Sequence, residues 1–456
     1  MKLIHLFCFL VCLSCTLQAQ TNNQSQSKIK FTEFTLDNGL EVVLHQDKST
    51  PIVAISVLYH VGSKNEKPDR TGFAHFFEHL LFEGSENIAR GEFSKYIENA
   101  GGTLNAFTNY DQTFYFEKLP SNQFELGLWL ESERMLHAKV ENEGIETQRE
   151  VVKEERRQRI ENRPYGGLVA ETMKRVYKEH PYQWPVIGYM EHLNAAEEKD
   201  YVDFYKTFYV PNNAVLSIAG DIEIDEAKKL VEKYFGEIPR GKGKVPRPTI
   251  VEPQQTKEIV DTAYDNIQLP AVVMAYRVPE AGTPDYYACD MLSMVLSQGQ
   301  SSRLYRTMVD DKQLAIQAGA FPFGLEDPGV TLAYCITNAG VETKDAVETM
   351  TEEFNKVGKE LITEKEFQKL RNQIENDLVN NYASLSGISQ SLAEYKTYQD
   401  DANLINTEIE KYLAVSREDI QNVAKKYFTD DNRVVLYYLP KPADAPAEEG
   451  NADDTK

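Results

Sequence analysis

The sequence predicts an α+β protein made of two copies of one unit, and three observations carry that prediction. Residues 209–218 (Tyr-Val-Pro-Asn-Asn-Ala-Val-Leu-Ser-Ile) resemble residues 427–436 (Tyr-Phe-Thr-Asp-Asp-Asn-Arg-Val-Val-Leu) at an offset of 218 residues, and each stretch follows an amphipathic helical pattern. The β-branched, apolar run 52–60 has a counterpart in 271–278. Between the copies, Arg240-Gly-Lys-Gly-Lys-Val-Pro-Arg-Pro is rich in chain breakers and charge, which puts the boundary near residue 245. About 430 residues beyond the N-terminal segment are also too many for one core, so two domains are expected, at 28–243 and 250–440.

Taken in order, residues 1–19 read as a secretory signal: Lys2, an apolar run over 3–13, then Leu17-Gln18-Ala19 as a small-residue cleavage site. The run is too short to span a bilayer and nothing later reaches the required length, so no stable membrane insertion is expected. Cys15 could carry a lipid, but Cys12-Leu13-Ser14 is a poor lipobox and disfavours lipoprotein anchoring. The expected location is therefore exported and, in a bacterium, periplasmic. Cys8, Cys12 and Cys15 leave with the signal, and the remaining two of the five cysteines, Cys289 and Cys335, read as buried thiols rather than a disulfide framework. Residues 21–27 and the acidic tail 441–456 are polar and read as disordered ends.

Residues 31–36 and 40–45 flank Asp37-Asn38-Gly39 and read as a hairpin, followed by a strand over 52–60. Residues 104–110 and 113–118 read as two strands joined by a short turn, and 147–157 is strongly helix-forming. The chemistry lies between these elements. His75-Phe76-Phe77-Glu78-His79 places two imidazoles four residues apart, so on a helix they share one face and can share a metal. Glu78 projects from nearly the same face, where a carboxylate can take a proton from an activated water. The order His-x-x-Glu-His is the inverzincin signature, and neutral imidazoles suit Zn²⁺. A third ligand is available in the helical segment at Glu154 or Glu155. Two His and one Glu would leave the fourth position open, which is the catalytic rather than the structural arrangement. His45, His60, His137, His180 and His192 have no partner at motif spacing and read as surface or core residues.

These motifs resemble the pitrilysin-type metallopeptidases, the family of insulin-degrading enzyme and of the catalytic subunit of the mitochondrial processing peptidase. The likeness extends through Val61-Gly62-Ser63-Lys64-Asn65-Glu66, Thr71-Gly72-Phe73-Ala74 and Leu80-Leu81-Phe82-Glu83-Gly84-Ser85. It implies two homologous repeats in the processing-peptidase-like fold, each a mostly antiparallel sheet packed with helices. In the family the ligand Glu follows the motif at about the separation of Glu155, with 75 residues between it and His79, which favours Glu155 over Glu154. The resemblance implies one zinc held by His75, His79 and Glu155, with Glu78 as general base and then general acid. Residues 101–108 (Gly-Gly-Thr-Leu-Asn-Ala-Phe-Thr) look like the family's substrate strand, to which an extended peptide adds by main-chain pairing; Asn105, Ala106 and Phe107 are the implied contacts. The implied activity is cleavage of unfolded peptides inside a closed chamber, with the metal-free half as its opposite wall. Residues 286–296, the repeat's equivalent of the motif helix, carry no His-x-x-Glu-His.

A formal charge of −22 argues against nucleic acid, whose affinity comes from a basic face, and suits a soluble protein. The partner expectation comes from what is missing. In single-chain members the metal-free half supplies an Arg and a Tyr, seven residues apart, to the substrate and the developing oxyanion. The matching region here is 301–316, and the aligned positions hold Val309 and Ile316, which cannot donate a hydrogen bond. Arg303 and Tyr305 are out of register and read as structural. Losing such donors costs on the order of 10²–10³ in rate. The expectation is therefore a heterodimer with a homologous metal-free subunit that carries the pair, with a homodimer as the second reading.

Overall fold

The computed structural model describes residues 28–442. The signal reading, residues 21–27 and the tail from 443 onward lie outside the described residues. The first half forms a six-stranded sheet from β1 (Thr32–Thr35), β2 (Glu41–Gln46), β3 (Ile52–Tyr59), β4 (Thr103–Thr108), β5 (Thr113–Pro120) and β6 (Ala214–Gly220), in the order β1-β2-β6-β3-β5-β4. The second half forms a five-stranded sheet from β7 (Ile259–Asp265), β8 (Ala271–Arg277), β9 (Ala315–Phe323), β10 (Val330–Thr337) and β11 (Arg433–Pro440), in the order β7-β11-β8-β10-β9.

The two paths are the same. Each half pairs an early strand in parallel with its last strand, β2 with β6 and β7 with β11, and every other pairing is antiparallel. The α+β repeat expected from the sequence is the architecture observed, with β1 as an addition to the first copy.

The halves are joined by an exchange of helices. On the first sheet Val42, Leu44, Ile55 and Val57 face the helices of their own half. Val43, Leu58, Val215 and Ala219 point the other way and meet Ile388, Leu392 and Ala393 of the helix Leu385–Gln399, which belongs to the second half. The second sheet is treated alike. Val272, Met274 and Val435 face its own helices, whereas Val273, Ala275, Val434 and Leu436 pack with Leu168, Met173 and Val176 of the helix Leu168–Val176 from the first half. Leu168 and Leu385 begin these two helices and stand 217 residues apart, so each copy lends the equivalent helix to the other sheet. A sheet covered on both faces needs apolar residues on both, and β6 is accordingly buried at all seven positions.

Polar contacts reinforce the joint. Ser389 Oγ donates to Ser217 O (2.9 Å) and lies 2.7 Å from Ser56 Oγ. The Lys64 ammonium is buried 2.9 Å from Asp111, 2.6 Å from Glu326 and 3.1 Å from Asp327, the last two on the turn between β9 and β10. Burial opposes the ionisation of Glu326, but His60 and Lys64 overcome it and hold the carboxyl at about 2. Asp327 is held at about 2 by the hydrogen bond from His180 and by Lys64, against burial. His60 and His180, read from sequence as bystanders, are thus part of the seam between the halves.

A second buried network lies within the first half. Arg134 and Glu131 are almost fully buried and pair through Nε–Oε2 (3.1 Å) and Nη2–Oε1 (3.2 Å). The guanidinium also sits 4.3–4.4 Å from the rings of Phe82, Phe93 and Tyr115. Glu117 on β5 is 1% exposed, and neither carboxyl oxygen has a hydrogen-bond partner. Burial pushes its pKa well above the usual carboxyl range and the nearby Glu131 pushes further, with Arg134 opposing.

A carboxyl whose pKa is raised on folding contributes stability that is complete below its unfolded value, near about 4.3, and is lost as pH rises through the folded value. Glu117→Gln has no proton to lose there. Its stability in urea should therefore gain on the wild type with rising pH, by up to about 1.4 kcal/mol per pH unit above about 4.3. A difference that stays flat with pH would mean that Glu117 is ionised in the fold.

Candidate metal centre

The His-x-x-Glu-His segment lies on the helix Phe73–Leu80, as the spacing requires. Gly72 opens it with φ +93°, and a Cβ at that position would lie 2.8 Å from Ile187 O, so both the conformation and the space call for glycine. The buried Glu66 carboxyl accepts from Gly72 N (2.8 Å) and Ala74 N (2.9 Å), which satisfies orphan donors at the start of the helix. Burial pushes the Glu66 carboxyl well above its usual range, with these N–H groups pulling it back. Phe73, Phe76, Phe77 and Leu80 are buried in the first-half core, and Tyr201 packs 4.6 Å from the Phe73 ring. Tyr115 Oη donates to Phe77 O (2.7 Å), and Arg134 Nη1 donates to Leu81 O (3.1 Å) at the helix end. With its apolar side clamped, the helix presents His75, Glu78 and His79 on the remaining face.

His75 and His79 stand one turn apart, their rings meeting edge to face with 4.9 Å between centroids. The third group comes from the helix Asn142–Arg156. Glu155 Oε2 lies 3.0 Å from His79 Nε2 and 3.6 Å from His75 Nε2, while its Oε1 pairs with Arg159 Nη1 at 2.7 Å. Burial opposes the ionisation of Glu155, but the two imidazoles overcome it and hold the carboxyl well below the usual carboxylate range. Potential ligand atoms of His75, His79 and Glu155 all lie within 4.8 Å of one another. Tetrahedral zinc at about 2.1 Å would set its ligand atoms about 3.4 Å apart, a spacing that the two measured distances bracket. The cluster is consistent with a zinc site. Glu154 is elsewhere: its carboxylate accepts from Gln158 (2.8 Å) and Arg157 (3.4 Å) and faces solvent.

Glu78 stands outside the trio, and its Oε2 accepts a hydrogen bond from Thr108 Oγ1 at 2.7 Å. Thr108 ends β4, which among the described residues pairs only with β5 and leaves its other edge free. The expected substrate-strand residues divide between the two faces of this strand. Leu104 and Ala106 pack toward the core that holds the motif helix, whereas Phe107 packs on the opposite face, 5.2 Å from Phe114. Asn105 is exposed, and its Oδ1 accepts from the Ala106 N–H (2.9 Å).

In the second half, the helix Pro284–Ser297 takes the motif helix's place in the repeat and buries Cys289 and Leu292 in the core. Val309 packs against that core, Ile316 is exposed on β9, and Arg303 is bound to Glu366 through Nε–Oε1 (2.8 Å) and Nη2–Oε2 (3.0 Å). Three participants went unassigned in the sequence. Glu66 and Thr108 both lie in segments quoted for the family likeness, and Arg159 stands one helical turn after Glu155. Their residue types carried no chemical signal of their own.

Known proteins match this chain in sequence and in fold. The family model for insulinase (peptidase family M16) matches residues 41–188, and that for the peptidase M16 inactive domain matches residues 197–374. The zinc protease PqqE of Helicobacter pylori is 32% identical over 428 residues, covering 93% of this chain and 96% of that protein. The crystal structure of a protease from Helicobacter pylori superposes with a TM-score of 0.86 at 32% identity, covering 91% of this chain and all of that one. The periplasmic protease PqqL from Escherichia coli shares the fold with a TM-score of 0.73 at 17% identity, but 90% of this chain corresponds to only 47% of that one. Among the described residues, no helix is long and apolar enough to cross a membrane. The matches run through both repeats and along nearly the full length of a zinc protease, and on that ground the chain belongs to peptidase family M16, the insulinase family of zinc-dependent peptidases.

Proposed function

We propose that this chain is a zinc endopeptidase that cleaves unfolded peptides or short polypeptides, with one zinc held by His75, His79 and Glu155 and with Glu78 as the proton carrier. The observation that carries the proposal is the imidazole–imidazole–carboxylate trio, with Glu78 on the same helix and hydrogen-bonded to the free-edge strand β4. Zinc at such a site supplies Lewis acidity, which acidifies water and polarises a carbonyl. Glu78 takes the proton of the attacking water and returns it to the leaving amine. A peptide that adds to β4 along Asn105, Ala106 and Phe107 is held through its main chain, so its side chains matter little and varied sequences are accepted.

The closed chamber needs an opposing wall, and in place of this chain's own second half, which the resemblance implies, we assign it to a second chain. The exchanged helices hold the two halves of this chain against each other's sheets, and the chain matches about half the length of the Escherichia coli protease. Neither Val309 nor Ile316 can stabilise an oxyanion. The proposal is therefore a heterodimer in which a homologous metal-free subunit supplies an Arg/Tyr pair; a homodimer is the second reading and would add only more Val and Ile. An exported, periplasmic location belongs to the same proposal, supported by the signal-like residues 1–19.

Glu78→Gln should keep one zinc per chain and lose at least about 10²-fold in turnover of a quenched peptide, the low end for a positioned base. Ordinary hydrolysis by this variant would remove Glu78 from the mechanism. His75→Ala and His79→Ala should lose the metal itself.

Glu155→Gln should empty the site, whereas Glu154→Gln should leave zinc content unchanged, as measured by metal analysis of both proteins. The reverse result would shift the ligand by one residue.

Mixing the chain with a homologous metal-free subunit should raise kcat on a peptide library by on the order of 10²-fold, since oxyanion donors are worth that much. Full activity from the lone chain, unaffected by any partner, would overturn the heterodimer.

A further inference from the structure

The reaction as proposed leaves one close contact unused, the hydrogen bond from Thr108 Oγ1 to Glu78 Oε2 at 2.7 Å. We propose that Thr108 is a positioning residue, whose hydroxyl fixes the Glu78 carboxylate and ties it to the strand on which the substrate adds. The inference rests on Glu78 being the proton carrier.

Glu78 is only half-buried, so packing alone does not select one orientation of its flexible side chain. A hydroxyl–carboxylate bond of this length is charge-assisted and stronger than a neutral one. It engages Oε2 and leaves Oε1, with its own lone pairs, to meet a water.

The hydroxyl is itself well placed. Thr108 pairs with Thr113, whose Oγ1 donates to Val61 O (2.8 Å). The turn that follows is held by Asn109 Oδ1, which accepts from Asp111 N (2.8 Å) and Gln112 N (2.9 Å). Ser63 N donates to Asn109 O (3.1 Å) and Lys64 N to Tyr110 O (3.0 Å), in a contact so close that a Cβ on Gly62 would lie 2.4 Å from Tyr110 O. Asp111 then accepts from Tyr182 Oη (2.6 Å) and from Glu326 N of the second half (3.1 Å).

Thr108 therefore sits between an anchored turn and a strand whose outer edge is unpaired. A peptide that pairs along that edge completes the ladder and removes the remaining freedom of the strand that carries the hydroxyl. Strand addition and orientation of the base are then coupled through one side chain. The coupling predicts an effect on turnover rather than on peptide affinity.

The test compares Thr108→Val, which keeps the β-branched shape and removes the hydroxyl, with Thr108→Ser, which keeps the hydroxyl. On a quenched peptide, Thr108→Val should lower kcat about 10-fold or more, since small misplacements of reacting groups carry losses up to about 10²-fold. KM, zinc content and Tm should stay at their wild-type values, and Thr108→Ser should recover most of the rate. Wild-type kcat in Thr108→Val would overturn the inference. So would a loss that follows zinc content, Tm or KM, or a Thr108→Ser variant as slow as Thr108→Val. Glu78→Gln measured alongside separates the two claims: an active Glu78→Gln removes the base, whereas an inactive Glu78→Gln with an active Thr108→Val removes only the positioning role.

Discussion

Each sheet of this protein has two apolar faces and only one set of helices of its own to cover them. Everything else in the structure depends on how the second face is buried. A half standing alone would expose a contiguous apolar surface, such as Val43, Leu58, Val215 and Ala219 on the first sheet. Patches of that kind on soluble proteins are normally occupied by a partner. The partner here is the other repeat, which donates the equivalent helix, and the donation is mutual. The same pseudo-symmetric exchange places the β9–β10 turn against Lys64 and Asp111, and so beside the turn that ends at the free-edge strand. The second half thus covers an apolar face of the sheet that supports the trio, and is covered by it in return.

The motif helix shows how a short element can be held rigidly. Eight residues are too few to be stable as an isolated helix, so its position comes from tertiary contacts. Glu66 holds the N-terminal end, Arg134 reaches the Leu81 carbonyl at the other end, Tyr115 binds the Phe77 carbonyl, and aromatic rings fill the apolar side. Glu66, Arg134 and Tyr115 each find backbone groups or an opposite charge as partners, which is what makes their burial tolerable. Glu117, on the strand beside this set, has no hydrogen-bond partner, and burial pushes its pKa well above the usual carboxyl range.

The site arranged by these supports is chemically asymmetric. The trio shares Glu155 Oε2 with the imidazoles, while Arg159 occupies the other oxygen, so the carboxylate offers one atom rather than two. Glu78, one residue from His79, is directed instead toward β4. Two carboxylates of similar intrinsic acidity are thereby given different partners, the usual basis for assigning them different roles.

Local and periodic features were legible in the sequence. The four-residue spacing of His75 and His79 fixes their common face on any helix, and the 218-residue repeat announces two copies of one α+β unit, though not how their strands pair. The hairpin around Asn38-Gly39 depends on neighbours in the chain and was read correctly. The strands expected at 104–110 and 113–118 are instead found at 103–108 and 113–120, because Asn109 and Tyr110 belong to the turn that Asn109 Oδ1 holds. Other features depended on residues far apart in the chain. Glu154 and Glu155 point about 100° apart on one helix, and only the docking of that helix turns Glu155 toward the imidazoles. Phe107 lies within the substrate-strand pattern, yet the strand's alternation directs it to the face covered by the exchanged helix. Thr108 meets Glu78 across 30 residues of chain, and Lys64 meets Glu326 across 262. No periodicity encodes such contacts, because they are set by how finished elements pack, and that packing exists only once both halves have covered each other's sheets.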